Sequence, residues 1–136
     1  MAADVRLAAP QRRQSSRRVL VVDDSPVMLM AARLGLGQMP GWDVATSHSG
    51  RDAVQVAAGY QPDAILLDVM MPGQDGVETL RALRAQASTH DMPVVFLTAL
   101  DDGARLVELG AAGVIAKPFE PGRLASQLSE VLGWPS

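Results

Sequence analysis

The chain has 136 residues, of which 48% are hydrophobic, and this fits one domain with one buried core. Its apolar runs are too short to cross a membrane. The absence of cysteine excludes disulfides and thiolate metal sites and is typical of a cytoplasmic protein. A formal net charge of −3 gives no indication of direct nucleic-acid binding.

The two ends of the chain lack the patterns of regular structure. Residues 1–17 are rich in Arg, Ala, Gln and Ser without periodicity, and they are predicted to form a mobile basic N-terminal tail. Residues 18–133 are predicted to form the folded domain, and residues 134–136 the C-terminal end.

The domain opens with a strand and a helix. The apolar run 19–22 predicts a buried strand, and Asp23 and Asp24 follow it directly. Ser25 suits a helix N-cap and Pro26 the first helical position. Apolar residues then recur at helical spacing: Val27, Met30, Ala31 and Leu34.

Residues 42–46 alternate apolar and polar side chains and predict an edge strand. Ser49 is a candidate cap for a second helix, which is expected to end at Gly59. Ala64–Asp68 is an apolar run between two prolines that ends in a carboxylate. This run suits a strand that is buried on both faces, with Asp68 where the strand leaves the core.

The second half continues the alternation of strands and helices. Helices are predicted after Gly76, from Asp101 or Asp102, and from Pro121. Two more strands are predicted over residues 93–97 and 113–116. The apolar residues assigned to these helices are Val77, Leu80, Leu83, Leu106, Leu109, Leu124, Leu128, Val131 and Leu132. Alternating strands and helices predict an α/β fold with a doubly wound parallel sheet.

Polar residues of particular kinds follow the predicted inner strands. Parallel strands place these ends on one edge of the sheet, so the side chains are expected to converge. The residues in question are Asp23, Asp24, Asp68, Thr98 and Lys117. Lys117 is the only lysine, since the other basic residues are all arginines. Each residue alone would suit a turn or cap, but the ordered set indicates a site.

Three carboxylates at one sheet edge repel each other, and a hard divalent cation such as Mg²⁺ would relieve the repulsion. Asp24 and Asp68 are predicted to be direct ligands, together with the backbone carbonyl of Met70, and Asp23 is predicted to act through a water molecule. A carboxylate beside a cation can accept a phosphoryl group as a nucleophile.

Lys117 and Thr98 can then contact the phosphoryl oxygens. Most of the catalysis in such a site would be positioning and charge stabilisation.

Four segments of the sequence resemble the response-regulator receiver domain of two-component signalling. They are VLVVDDS at 19–25, LLDVMMPGQDG at 66–76, FLTA at 96–99 and AKPF at 116–119. The resemblance extends from about residue 18 to residue 132. It implies a flavodoxin-like fold with five parallel strands in the order 2-1-3-4-5.

The resemblance also implies the function and the partners. Asp68 would accept phosphate from a sensor histidine kinase or a phosphotransfer protein, with Mg²⁺ as cofactor. The chain would catalyse its own phosphorylation and dephosphorylation without being an enzyme in the usual sense. A cis peptide is expected at Lys117–Pro118. Because no output domain is seen after Leu132, a stand-alone regulator is expected, acting on a downstream protein through helix 4, strand 5 and helix 5.

One position departs from the family pattern. The last strand usually carries an aromatic residue that turns inward on activation, and Val114 stands there instead. Valine has a stiff χ1 and no ring to move. Two apolar neighbours of the site, Met70 and Leu100, are expected to shield the acyl phosphate from water and prolong its life.

Three other interpretations remain to be tested. A degenerate receiver would act as a phosphorylation-independent interaction module, although the complete acidic set and Lys117 speak against it. A haloacid-dehalogenase-type phosphatase requires a second aspartate two residues after the nucleophile, where this chain has Met70. A nucleotide-binding flavodoxin relative would need a glycine-rich loop in place of Asp23–Pro26.

Overall fold

The computed structural model describes residues 16–99 and 103–135, in which five strands alternate with five helices. The bounds of these elements, in chain order, are β1 Arg17–Val22, α1 Pro26–Gly37, β2 Trp42–Ser47, α2 Gly50–Tyr60, β3 Ala64–Asp68, α3 Gly76–Arg84, β4 Val94–Thr98, α4 Gly103–Glu108, β5 Gly113–Ala116 and α5 Pro121–Leu132. The predicted tail up to residue 15, together with Leu100, Asp101, Asp102 and Ser136, lies outside the described residues.

The five strands form one parallel sheet in the order β2-β1-β3-β4-β5, which confirms the predicted fold. The inner strands β3 and β4 are buried along their whole length, because helices cover both faces of the sheet. Strand β2 is only partly buried, as expected at an edge.

Two apolar clusters, one on each face of the sheet, form the core. Alternate residues of each strand point to opposite faces, so Leu67 belongs to one cluster and Leu66 to the other. Helices α2 and α3 contribute to the first cluster, and helices α1 and α5 to the second. Val114 packs partly buried against the first cluster, and Phe119 against the second.

The N-caps of α1 and α2 are those predicted from the sequence, whereas the end of α2 differs from the prediction. The Ser25 and Ser49 side chains accept hydrogen bonds from backbone N–H groups of α1 and α2, as predicted. Helix α2 does not end at Gly59, however. It continues to Tyr60, and Gln61 takes the left-handed conformation with φ of 54°. The backbone N–H of Gln61 donates to the Ala57 carbonyl, and its side-chain amide donates to the carbonyls of Ala58 and Ser88, 3.0 and 3.1 Å away.

The apolar spacing that predicted α1 does not mark the buried face of that helix. Val27, Met30 and Leu34 are 75%, 66% and 64% exposed, respectively. The helix instead buries Ala32, Gly35 and Leu36, among others packed toward α5 and the sheet. Helix α1 therefore carries an outward apolar surface, which we call the α1 stripe and define as Val27, Met30 and Leu34.

The structure also bears on the predicted boundaries of the domain. Strand β1 begins at Arg17, one residue before the predicted domain start. The guanidinium carbon of Arg17 lies 4.7 Å from the ring centroid of Trp134, and that ring makes an edge-to-face contact with Trp42 at 5.6 Å. Trp134, in the predicted C-terminal end, thus packs against the first two strands.

Single residues of two types differ in exposure. His48 and His90 are exposed. Met71 and Met92 are buried, whereas Met30 and Met70 are exposed. Among the described residues, no helix is long and apolar enough to span a membrane.

The contact between α1 and α5 gives a test of the fold. A Cβ atom on Gly35 would overlap the backbone carbonyl of Pro121, whereas a Cβ on Gly37 would meet nothing within 4 Å. We expect Gly35→Ala to lower the free energy of unfolding by about 2 kcal/mol, because two backbones would have to separate. Urea denaturation measures this change.

Gly37→Ala is the matched control for this substitution. It adds the same methyl group two residues away in open space, and we expect it to leave stability unchanged or to raise it by up to about 1 kcal/mol. Equal stability of the two variants would show that α1 and α5 do not pack as described.

Candidate functional site

The parallel sheet brings the predicted site residues to one edge. In the strand register, Val22 lies beside Leu67, so the residues that follow them, Asp23 and Asp68, lie at the same level. Thr98 pairs with Ala116, and its carbonyl accepts a hydrogen bond of 2.9 Å from the backbone N–H of Lys117. Four strand ends far apart in sequence therefore meet.

Three carboxylates cluster at this edge. Asp23, Asp24 and Asp68 each place one carboxylate oxygen within 4.8 Å of the others. Asp23 and Asp68 are buried, whereas Asp24 is exposed. The cluster is thus open to solvent on the side of Asp24 and closed on the other.

Lys117 partly neutralises the two buried carboxylates. Its Nζ lies 3.0 Å from Asp68 Oδ1 and 3.2 Å from Asp23 Oδ2. The Lys117–Pro118 peptide bond is cis, as expected. Burial favours the neutral amine, but hydrogen bonding and charge from Asp68 and Asp23 outweigh it and raise the pKa of Lys117. The lysine therefore stays cationic.

Asp68 lies in an environment that disfavours its charge. Burial raises the pKa of the Asp68 carboxyl, and the negative charge of Asp23 adds to this effect. Lys117 and the backbone N–H of Met70, which donates to Asp68 Oδ1 over 3.3 Å, oppose it only in part. A further positive charge close to Asp68 would stabilise the carboxylate.

The Asp23 carboxylate makes two contacts, so its oxygens are less available than those of Asp24 for binding a cation. Its Oδ1 accepts a hydrogen bond of 2.9 Å from the Ser25 backbone N–H, and its Oδ2 pairs with Lys117. The Ser25 contact also fixes the turn from β1 into α1. Asp24, next in the chain, has its side chain exposed at the open side of the cluster.

One residue that positions the site was not assigned a role from the sequence. Gly76 donates its N–H to the Val69 carbonyl over 2.9 Å, and a Cβ at this position would lie 2.5 Å from the Asp68 carbonyl oxygen. The loop after β3 can close tightly behind Asp68 only because Gly76 has no side chain. The sequence feature that could have indicated this role is the pair Asp75–Gly76, directly before the predicted third helix.

Comparison with known proteins agrees with this geometry. The family model for the response regulator receiver domain matches residues 19–129. The chain therefore belongs to the response regulator receiver domains, which take part in two-component signalling.

Individual relatives and structures support the same assignment. The chemotaxis response regulator CheY4 of Vibrio cholerae has a TM-score of 0.77 and 33% identity, with 85% of this chain and 98% of that chain covered.

The receiver domain of the sensor histidine kinase PA1611 from Pseudomonas aeruginosa has a TM-score of 0.75 and 31% identity, covering 87% of this chain and 98% of the other. That structure contains a magnesium ion coordinated in its active-site cleft.

A curated relative is longer than this chain. The transcriptional regulatory protein PrrA of Mycobacterium tuberculosis is 40% identical over 121 residues, which are 87% of this chain and 51% of PrrA. The chain thus spans about half the length of the curated relatives it matches.

The residues at the sheet edge fit the magnesium ion that receiver domains bind at an acidic pocket. All three carboxylates supply hard oxygen donors, and one lysine cannot neutralise them. The exposed position of Asp24 gives a cation a way in from solvent.

The raised pKa of Asp68 gives a test of this electrostatic description. In magnesium-free buffer near neutral pH, we expect Asp68→Asn to raise the free energy of unfolding. The ionised carboxylate is less stable in the folded protein than in the unfolded chain, and the amide removes that charge. The gain should disappear below the ordinary carboxyl pKa of 3.8, where both states are protonated.

Urea denaturation at several pH values measures the difference, and Asp91→Asn is the control. The Asp91 side chain is 99% exposed, so we expect its substitution to change stability little at any pH. A loss of stability in Asp68→Asn at neutral pH would contradict the unfavourable environment of Asp68.

Proposed function

We propose that the chain is a phosphorylation switch in which Asp68 accepts a phosphoryl group from a phosphohistidine. The observation that supports this most directly is the nearly buried Asp68 carboxylate, 3.0 Å from the only lysine and within 4.8 Å of two further carboxylates. The sensor histidine kinase or phosphotransfer protein would be the donor. A cytoplasmic location and action as a stand-alone regulator remain predictions.

In the proposed reaction a carboxylate oxygen of Asp68 attacks the phosphorus atom of the phosphohistidine. The new P–O bond forms as the P–N bond breaks, and the leaving imidazole takes up a proton. Lys117 balances charge on the phosphoryl oxygens, and the Thr98 hydroxyl donates to one of them. Thr98 is buried at the end of β4, beside the Lys117 backbone.

The proposed cofactor is Mg²⁺, which would supply charge neutralisation between the carboxylates and the incoming phosphoryl group. Asp24 and Asp68 are the proposed direct ligands, with the Met70 carbonyl as a third. Asp23 is assigned a water-mediated role because its two oxygens already contact the Ser25 N–H and Lys117.

We further propose that the phosphodonor protein docks on the α1 stripe. Val27 is the second residue of α1, three positions after Asp24, so the stripe begins beside the carboxylate cluster. A donor whose histidine reaches Asp68 must cover this part of the surface. A helix with an apolar face would bury Val27, Met30 and Leu34, which are otherwise exposed to water.

The downstream protein is expected on another surface. Val107 in α4 is 48% exposed, and Leu109, which directly follows the helix, is 37% exposed. These residues belong to the predicted face of α4, β5 and α5, and they are separate from the α1 stripe. Separate faces would let phosphorylation and output involve different partners.

The site assignment is tested with acetyl phosphate and Mg²⁺, followed by mass spectrometry of the intact chain and its peptides. We expect wild type to gain one phosphoryl group on Asp68, and Asp68→Asn to gain none at that position. Lys117→Arg should keep the charge but lose the compact ammonium, and we expect at least about a ten-fold slower reaction.

Asp91→Asn should be phosphorylated like wild type, because that exposed carboxylate precedes β4 and so lies at the opposite edge of the parallel sheet from the site residues. Phosphate on Asp68→Asn at the wild-type level would rule out Asp68 as acceptor. A wild-type chain that takes no phosphate would favour the phosphorylation-independent interaction module.

Docking on the α1 stripe is tested by Leu34→Glu with a phosphorylated histidine kinase that phosphorylates wild type. We expect transfer to slow by about ten-fold, because a charge would have to be buried in the complex. Val107→Glu on α4 is the matched control and should accept phosphate normally. Both variants should still react with acetyl phosphate, and equal transfer rates would contradict the assignment of this surface.

A further inference from the structure

Two adjacent methionines differ sharply in exposure. Met70 is 68% exposed and Met71 is 7% exposed, although both lie in the loop that follows Asp68. Met30 on α1 is 66% exposed, and Met92 is 8% exposed. The chain has no cysteine, so thioethers are its only sulfur groups. A peroxide in solution would therefore oxidise the exposed side chains of Met70 and Met30 faster than the buried side chains of Met71 and Met92.

Of the two methionines that are exposed in the described part of the chain, Met70 is the one in contact with the site. It follows Asp68 by two residues, and its backbone N–H donates to Asp68 Oδ1 over 3.3 Å. Asp68 itself is almost completely buried. The Met70 backbone thus contacts the carboxylate that would hold the phosphoryl group, while its side chain is exposed to solvent.

We propose that Met70 is a reversible oxidation site whose sulfoxide shortens the life of the phosphoryl group on Asp68. This proposal rests on the proposed function of Asp68 as phosphoacceptor. The chemical class of the modifying reagent is a hydroperoxide.

The modification is a two-electron oxidation of the thioether. A sulfur lone pair attacks the outer oxygen of the peroxide, the S–O bond forms and the O–O bond breaks. Hydrogen peroxide is reduced to water, and the sulfur becomes a sulfoxide. A methionine sulfoxide reductase reverses the change with a dithiol, which becomes a disulfide as the oxygen leaves as water.

The sulfoxide changes the surroundings of Asp68 because it replaces an apolar group by a strong hydrogen-bond acceptor. The reduced thioether binds water only weakly. The sulfoxide oxygen holds water firmly, and it would do so at the rim of the acyl phosphate. Hydrolysis breaks the bond of that phosphate to Asp68 with one water molecule, so a more hydrated rim speeds the reaction.

The experiment uses the full chain and compares the reduced and the peroxide-treated forms of each variant. Both forms are phosphorylated with acetyl phosphate and Mg²⁺, the donor is removed, and loss of phosphate is followed by intact mass. Peptide mapping reports the sulfoxide content at each methionine. The measured quantity is the ratio of the two decay rates within one variant.

We expect sulfoxide at Met70 and Met30 before it appears at Met71 or Met92. In wild type, the oxidised form should lose phosphate about three-fold faster or more. The ratio should fall to about one in Met70→Leu, which still carries oxidisable Met30. It should persist in Met30→Leu, the matched control, and treatment with the two methionine sulfoxide reductases, one for each sulfoxide epimer, should restore slow decay.

Two results would overturn the oxidation site alone: a ratio near one in a normally phosphorylated wild type, or an unchanged ratio in Met70→Leu. Early oxidation of buried Met71 in place of Met70 would do the same. If the reduced wild-type chain takes no phosphate on Asp68, the proposed function fails, and the effect of oxidation proposed for it fails with it.

Discussion

The pairing of one ammonium with two buried carboxylates is the interaction on which the site depends. Lys117 reaches both Asp68 and Asp23, but one positive charge cannot balance three carboxylates. Burial raises the pKa of the Asp68 carboxyl, and the negative charge of Asp23 adds to this effect. The fold thus maintains a local negative charge that a divalent cation can satisfy, and the exposed Asp24 lies where such a cation would arrive from solvent.

This imbalance is sustained by the stiffness of the sheet around it. Asp68 ends a strand whose residues are all buried, and neighbouring strands pair with it on both sides. Behind it, Gly76 closes the loop against the Asp68 carbonyl. The paired strands thus hold Asp68 close to Asp23, and their mutual repulsion favours the binding of a cation.

The sequence was sufficient for the sheet and for the convergence of the site residues, but not for the orientation of α1. Apolar strands that end in Asp68 or Lys117 have few alternative arrangements once they are parallel. Helix α1 is apolar on more than one side, so spacing could not show which side packs. Its contact side is set by the close approach of Gly35 to Pro121, and that contact exists only in the tertiary structure. Gln61, with its left-handed backbone, likewise makes a tertiary contact, from its side-chain amide to the Ser88 carbonyl.

The region around Val114 shows how a change at the site could reach α4 without an aromatic switch. A Cβ on Gly103, the first residue of α4, would lie 3.1 Å from Val114 Cγ2, so the helix backbone rests directly on the valine. Neither residue has a side chain that can swing between two positions. Val114 is joined through β5 to Lys117, whose backbone bonds to Thr98. This path therefore connects the site to α4 through backbone contacts and the packing of Val114, without an aromatic ring.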